Sequence, residues 1–238
     1  MKDTKKLFQH GTLALLVPGL FDGTLPLGSL LEHGDTGIGT ATGLDGEMII
    51  LDGVPYLVRS DGSVNVLDAN EVKVPFANSH FDNPEIEFDV TDATPDQLKD
   101  MIFSKYNLKN VFFAVKVKGK FDYIKARAVE GQKKPYPTLT EVADKQAIFE
   151  ENDGQGTIVG YFSPELFHGM ASAGFHLHYL NDAHNLGGHL LDYKIKEAKV
   201  YLQVFESVET HFPVENEDFM KEEFDIDSLR ASISSAEK

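Results

Sequence analysis

The sequence predicts an α+β fold, built as two lobes of mixed or antiparallel β-sheet with few helices. Strand-like apolar runs separated by Asp-Gly turns outnumber segments with helical spacing. Strands followed by a helix occur in both halves of the chain, as in α+β architectures. A length of 238 residues suffices for one large domain or two small ones. We expect an N-terminal lobe of residues 1–133 and a C-terminal lobe of residues 134–238, joined near G-Q-K-K-P-Y-P-T-L.

The first third of the chain reads as short elements with frequent turns. The apolar run 12–17, ended by Pro and Gly, predicts an internal strand. Segment 24–34 has a capping Thr at its start and a Gly at its end, which predicts a short helix. Residues 37–67 contain three Asp-Gly turns, at positions 45, 52 and 61, and predict an antiparallel meander.

The middle of the chain predicts one helix and one hairpin. Thr94 is placed to cap a helix whose first position is Pro95, and the apolar positions that follow recur at helical spacing. Residues 110–129 alternate between polar and apolar on both sides of Gly119, which predicts a β-hairpin.

The last third predicts a helix, four strands and an acidic tail. We expect a helix over residues 138–150 and strands over 157–163, on both sides of 181–187, and over 196–206 as the last strand. From about Glu215 to the end the chain is acidic and is expected to be partly helical.

Composition excludes several partners. The formal net charge is −16 and no run of Lys or Arg is present, so nucleic acids and anionic membranes are poor partners. A small anionic molecule can still bind at a local cationic site. We expect a cytoplasmic protein, because the start of the chain lacks the apolar run and cleavage pattern of a signal peptide. The exposed sheet edges of such a fold make a homodimer the expected assembly.

The histidines are unevenly distributed, since four of the nine lie between Gly174 and Tyr193. Residues two apart on a strand share a face, so His176 and His178 would lie side by side. The glycine pair that follows the next loop allows a turn that brings His189 back to them. With no cysteine in the chain, a metal must use His, carboxylate or water ligands, and three His ligands with open positions are typical of catalytic zinc. We therefore expect a metal site between or beside the sheets.

Simpler readings compete with this one. Isolated histidines are commonly surface residues or hydrogen-bonded core residues. His184, in the polar N-D-A-H-N loop, is assigned to that class. The H-x-H pattern also occurs in cupins, but a cupin needs a Glu a few residues later, and none occurs between His178 and His189.

Two charged residues upstream are candidates for the same site. Strand alternation places Arg127 on one face with Tyr123 and Lys125, and an Arg can bind a carboxylate through two hydrogen bonds. Glu47 follows an Asp-Gly turn and begins a strand. Taken singly, a residue of either kind is more often a solvated residue at the surface of a strand.

The sequence is similar to the α-acetolactate decarboxylase family, through motifs spread over most of the chain. These are H-G-T-L-A-L-L-V-P-G-L-F-D-G, G-T-A-T-G-L-D-G-E, L-D-G-V-P-Y, K-A-R-A-V, G-F-H-L-H-Y-L and G-G-H-L-L-D-Y. The resemblance implies decarboxylation of (S)-2-acetolactate to (R)-acetoin and CO2 through a zinc-stabilised enediolate, without an organic cofactor. Other divalent transition metals suit the same ligands.

The resemblance also assigns roles to residues. It implies zinc ligands at His176, His178 and His189, and catalytic roles for Arg127 and Glu47. It places Thr40, with Arg127, in the substrate-binding pocket, and it implies a further catalytic glutamate near the C-terminus, for which Glu237 is the nearest candidate.

Two other functions remain open on the residues alone. The first is another metal-dependent enzyme acting on small hydroxy-keto acids, such as a hydrolase or an isomerase. The second is a non-catalytic metal-binding module, which a coordinatively closed site would indicate.

Overall fold

The computed structural model describes residues 2–236 and confirms the α+β fold class. The strands in that range are β1 (Lys6–His10), β2 (Leu25–Pro26), β3 (Thr36–Ala41), β4 (Asp45–Leu51), β5 (Val54–Val58), β6 (Val64–Val66), β7 (Lys73–Val74), β8 (Phe76–His80), β9 (Ile86–Ala93), β10 (Phe113–Ala128), β11 (Ala147–Ser163), β12 (Gly174–Asn181), β13 (Gly187–Val204) and β14 (Ser207–His211). The helices are α1 (Leu13–Leu16), α2 (Leu27–Leu31), α3 (Pro95–Lys105), α4 (Leu139–Ala143), α5 (Glu217–Lys221) and α6 (Ile226–Ala236). None of these helices is both long and apolar enough to cross a membrane.

Two large sheets organise the structure. The seven-stranded sheet has the order β14-β1-β8-β3-β4-β5-β6 and is antiparallel except for the parallel pair β1–β14. The five-stranded sheet has the order β10-β11-β12-β13-β9, is antiparallel throughout, and gains a further pairing between β10 and β13. A two-stranded sheet of β2 and β7 completes the set.

The two large sheets exchange strands across the expected lobe boundary at residues 133 and 134. From the N-terminal side, β9 and β10 belong to the five-stranded sheet. From the C-terminal side, β14 joins the seven-stranded sheet by pairing with β1. Cutting the chain between residues 133 and 134 would therefore divide both sheets.

Apolar side chains of both sheets form a shared core. One buried cluster contains Ile38 and Ile49 of the seven-stranded sheet together with Ala114, Val159 and Leu180 of the five-stranded sheet. A second cluster gathers side chains of α1, α4 and α6 around Phe76, the first residue of β8. The first cluster packs the sheets on one another, and the second covers the region where the candidate site lies.

The strand predicted over residues 12–17 is wrong, since this run forms the short helix α1. Its amide groups at Leu13 and Ala14 donate hydrogen bonds to the carbonyls of Met170 and Gly169, and Leu13, Leu15 and Leu16 are buried. A continuous apolar run of this length has no period that separates a buried strand from a buried helix. Tertiary packing decided between them.

The hairpin predicted at Gly119 is also wrong, because β10 runs through this glycine as one strand of 16 residues. Gly119 lies opposite Gly156 on β11 and Ala198 on β13. A Cβ atom at Gly119 would lie 2.3 Å from the carbonyl oxygen of Glu197. The glycine serves close approach of the strands and does not form a turn.

The helix predicted over residues 138–150 is only partly correct. Thr138 caps α4 and forms a capping box with Glu141, but α4 ends at Ala143 and β11 begins at Ala147. From there β11 pairs with β10, with Ile148 opposite Arg127. Residues 147–150 therefore pair with β10, which is distant in sequence, and do not continue the helix.

Two other elements differ in extent. Within 24–34 the helix covers only Leu27–Leu31, because β2 precedes it. The strand expected over residues 196–206 is the second half of β13, and it is not the last strand, since β14 follows. The tail is partly helical as predicted, with α5 and α6.

Some of the local turn and cap signals were reliable, but Thr24 does not cap α2, whose N-cap position is Pro26, and Asp45-Gly46 lies at the start of β4. Thr94 caps α3 through a capping box with Gln97, and Pro95 occupies the first turn. Asp52 and Gly53 join β4 to β5 with φ values of 51° and 78°, the positive values that a type I′ hairpin turn requires. The capping box of α3 and the Asp52-Gly53 turn act within a few residues, so the sequence suffices to predict them.

Candidate metal and catalytic site

Three histidines meet where β12 and β13 pair. His176 and His178 lie on β12, and His189 on β13 lies directly opposite His178. The ring centroids are 4.9 to 5.4 Å apart, and one nitrogen from each ring can be chosen so that all three lie within 4.8 Å of one another. His178 and His189 are buried and His176 is partly buried. The structure therefore brings together the pair predicted from strand spacing and the third histidine predicted to return to it.

The glycines before His189 act within β13. Gly188 has a φ of 133°, and a Cβ atom there would lie 2.3 Å from the carbonyl oxygen of Arg127 on β10. A Cβ at Gly187 would lie 2.4 Å from the carbonyl oxygen of Tyr179. The pair therefore lets β13 fit between β10 and β12, which places His189 next to both His178 and Arg127.

Hydrogen bonding orients the imidazole of His178. Its Nδ1 lies 3.0 Å from the carbonyl oxygen of Met48, which can only accept, so Nδ1 carries the proton. The lone pair is then on Nε2, which is buried and has no hydrogen-bond partner in the described part of the chain. Burial, followed by the neighbouring His176, lowers the pKa of His178 well below its usual value. A neutral, oriented imidazole with a free nitrogen is the form in which His binds a metal.

Arg127 and Glu47 form a buried ion pair beside the histidines. The Arg127 Nη1 donates to Glu47 Oε1 at 2.8 Å, and each side chain is 8% exposed. Glu47 Oε2 lies 3.5 Å from His178 Nε2. The opposite charges compensate one another in a site where an isolated charge would be strongly unfavourable.

Arg127 has a second contact and a spare donor. Its Nη2 donates to the carbonyl oxygen of Ala236, in the last turn of α6, at 3.2 Å. The Nε group is buried and has no partner among residues 2–236. A buried unsatisfied donor is unfavourable, and an oxygen of a bound ligand would satisfy it. The spare donor therefore indicates a position for an anionic oxygen.

Thr40 supports the turn that precedes Glu47. Its Oγ1 donates to the carbonyl oxygen of Gly46 at 2.8 Å, and Gly46 has a φ of 74°. This hydrogen bond joins β3 to the start of β4, one residue before Glu47. Thr40 lines the same cavity as the charged pair and the histidines.

One cavity of about 50 Å³ joins these groups. Its lining contains Thr40, Glu47, Arg127 and the three histidines, together with Ala236 and other apolar residues. Glu237, the remaining predicted site residue, lies outside the described residues. His184 is not part of the three-histidine group, and its ring packs against Tyr56 with centroids 4.6 Å apart.

Sequence reasoning missed two features of the site. The first is the backbone carbonyl of Met48, which fixes the tautomer of His178. Every residue has a backbone carbonyl, so the residue type at position 48 does not indicate this contact. The second is the apolar part of the cavity lining, to which Leu13 of α1, Phe76 of β8 and Leu139 of α4 contribute. These residues are far apart in sequence and look like ordinary core residues, so no local pattern identifies them.

Comparison with known proteins places the chain in a family. The profile of the family described as alpha-acetolactate decarboxylase matches residues 7–226. Alpha-acetolactate decarboxylases of Streptococcus thermophilus and Lactococcus lactis subsp. cremoris (strain MG1363) are 37% and 36% identical, each over the full length of both chains. The crystal structure of alpha-acetolactate decarboxylase from Bacillus subtilis strain 168 superposes with a TM-score of 0.94 at 32% identity, covering 98% of this chain and 99% of that one. The chain belongs to the alpha-acetolactate decarboxylase family.

Proposed function

We propose that the protein is a metal-dependent decarboxylase that converts (S)-2-acetolactate to (R)-acetoin and CO2, with Zn²⁺ as its metal. The observation that carries the proposal is one cavity in which three converging histidines adjoin a buried Arg127–Glu47 pair. Membership of the family supplies the substrate. No organic cofactor is invoked.

The metal would be held by His176, His178 and His189. The free, buried Nε2 of His178 fits this role, and three nitrogen ligands leave positions open for substrate oxygens. When bound, the metal supplies Lewis-acid stabilisation of the negative charge that the enediolate carries after CO2 leaves.

Arg127 binds and orients the substrate carboxylate in this proposal. Its Nη1 is held by Glu47, while its buried Nε is available to an oxygen. Arg is suited to a planar carboxylate because its donors lie in one plane. Holding the carboxylate also sets the direction of the C–C bond that breaks, so the reacting carbon is oriented by a group that is already in place.

Glu47 handles the proton. Loss of CO2 leaves an electron pair on the reacting carbon, and that carbon must gain one proton to give acetoin. Glu47 is anchored at one oxygen by Arg127, while its other oxygen points towards His178. A proton relayed from one fixed side reaches one face of the intermediate, which would give a single enantiomer of acetoin.

Four further parts of the proposal extend beyond the described site. Glu237 is proposed as a second proton-handling group near the end of the chain. We also propose a division of function between residues 1–133, which carry Glu47 and Arg127, and residues 134–238, which carry the three histidines. A cytoplasmic location is proposed as well, with a homodimer whose small anionic substrate is its only other partner. The exposed edge strands β6 and β14 of the seven-stranded sheet are the basis for the dimer.

Incubation with racemic acetolactate tests the function directly. The metal-replete protein should release CO2 and form (R)-acetoin, measured by chiral gas chromatography, and a chelator should abolish both. Folded, metal-replete protein that forms no acetoin would refute the proposal. Turnover of other hydroxy-keto acids would then favour a different metal-dependent enzyme, and a closed four-ligand site in X-ray absorption would favour a non-catalytic metal-binding module.

A further inference from the structure

The cavity has two chemically different parts. Its polar part consists of the three histidines, the Arg127–Glu47 pair and Thr40. Much of the remaining lining is apolar and comes from short elements distant in sequence, namely Leu13 and Leu16 of α1, Phe76, Val129, and Leu139 and Ala143 of α4. A ligand that fits must therefore be polar on one side and alkyl on the other.

The proposed substrate has this division around its reacting carbon. That carbon bears a hydroxyl, a carboxylate, an acetyl group and a methyl group. Under the proposed function, on which this inference rests, polar groups of the site engage the first three. The methyl group has no polar partner, so it lies against the apolar lining.

Helix α4 lines the same cavity as Arg127. It packs against α6, whose Ala236 carbonyl accepts a hydrogen bond from Arg127 at 3.2 Å. The carboxylate and the methyl group are bonded to the same carbon, so an alkyl group beside an Arg127-bound carboxylate is near α4. We infer that Leu139 and Ala143 of α4 set the size of the alkyl group that the enzyme accepts on the reacting carbon.

The shape of α4 supports this assignment. Leu139 and Ala143 are four residues apart and so lie on the same face, one turn from each other. The face presents a large side chain followed by a small one. Shortening Leu139 therefore enlarges the cavity at this face, and enlarging Ala143 makes the cavity smaller there.

The size of the cavity makes such changes matter. A volume of about 50 Å³ corresponds to roughly three to five water-sized spaces at ~10–15 Å³ each. There is little slack for an additional methylene group. One methylene against a fitted apolar lining typically changes specificity about 10–200-fold.

The test compares acetolactate with the homologue that has an ethyl group in place of the methyl group. The measured quantity is the ratio of kcat/KM for the ethyl substrate to that for the methyl substrate. Leu139→Ala and the milder Leu139→Val should raise the ratio about tenfold or more, and Ala143→Val should lower it by a similar factor. Leu139→Val keeps the test valid if Leu139→Ala does not fold.

Val142→Ala is the matched control. Val142 lies on α4 between the two positions, is buried in the same cluster, and is not part of the cavity lining. Its substitution removes core volume from the same helix, so it should leave the ratio within about twofold of the parent. An equal change of the ratio in Val142→Ala would overturn the inference, because general loosening of the helix would then explain the effect.

Binding of unreactive acids provides a second readout. Calorimetry with 2-hydroxy-2-methylpropanoate and 2-hydroxy-2-methylbutanoate measures the methyl-to-ethyl preference without turnover. The Leu139 and Ala143 variants should shift this preference in opposite directions. Unchanged ratios and preferences in folded, metal-replete variants refute the role of α4 while the parent enzyme still forms acetoin. A parent protein that decarboxylates neither substrate instead refutes the proposed function.

Discussion

Removing one member of the buried Arg127–Glu47 pair should destabilise the protein strongly. In Arg127→Leu the Glu47 carboxylate, which is 8% exposed in the structure, loses the Arg127 Nη1 group that lies 2.8 Å from its Oε1. Breaking a buried pair in this way costs about 3–5 kcal/mol. For a chain of this size that corresponds to a fall in Tm of roughly 6–20 °C, at about 2–4 °C per kcal/mol.

The double variant separates the pair from its surroundings. Arg127→Leu combined with Glu47→Leu removes both charges, so it should be more stable than either single variant. The coupling free energy from the cycle should be about 2–3 kcal/mol. Urea unfolding of metal-free protein measures it, because a bound metal would add its own binding free energy to the folded state.

An exposed ion pair gives the matched control. Lys120 and Glu197 are 2.7 Å apart, but their side chains are 54% and 60% exposed. Lys120→Ala should therefore change stability by no more than about 1 kcal/mol. A loss below about 1 kcal/mol in Arg127→Leu, or a coupling below about 0.5 kcal/mol, would contradict the reasoning that burial makes the inner pair mutually dependent.

Three further predictions concern the metal, pH and backbone. His178→Ala should lose both metal and activity, whereas Arg127→Ala should keep the metal and lose most activity. Elemental analysis and an acetoin assay measure the two properties, and full activity of Arg127→Ala would show that Arg127 has no part in the mechanism. Burial lowers the pKa of His80 to about 3, so the unfolded state binds a proton at His80 that the folded state does not bind between pH 6.5 and 3. The free energy of unfolding should therefore fall as pH decreases through this range, by up to ~1.4 kcal/mol per pH unit, and His80→Gln should show a shallower slope in denaturation experiments. Gly188→Ala should weaken metal binding about tenfold or more, because the added Cβ atom would push β13 away from β10. In the control Gly53→Ala, no atom lies near the added Cβ, so the metal should be retained; equal metal affinities in the two variants would contradict the close-packing argument.

The histidine part of the site was predictable because it depends on strand geometry. Residues at spacing two share a face whatever the rest of the fold does, so His176 and His178 could be paired from the sequence. Adding His189 required only one short loop to return the chain. The prediction failed in one detail, since the glycines serve the fit of β13 between two strands.

The charged pair was identified residue by residue, but its geometry was not predicted. Glu47 and Arg127 are 80 positions apart and lie on different sheets. Family motifs pointed to each, yet neither the ion pair nor the Ala236 contact follows from a local pattern. Strand alternation also placed Arg127 on one face with Lys125 and Tyr123, which are only partly buried.

The sequence alone determined the α+β class, several of the turns and caps, and the set of histidines, because these depend on periods and propensities that act within about ten residues. Only the tertiary structure decided that residues 13–16 form a helix, that Gly119 lies inside a strand, and that α1, α4 and α6 enclose the cavity beside Arg127. The physical reason is the same in each case. Burial and strand pairing between distant segments contribute more free energy than local propensity, and they are not encoded in any short stretch of the chain.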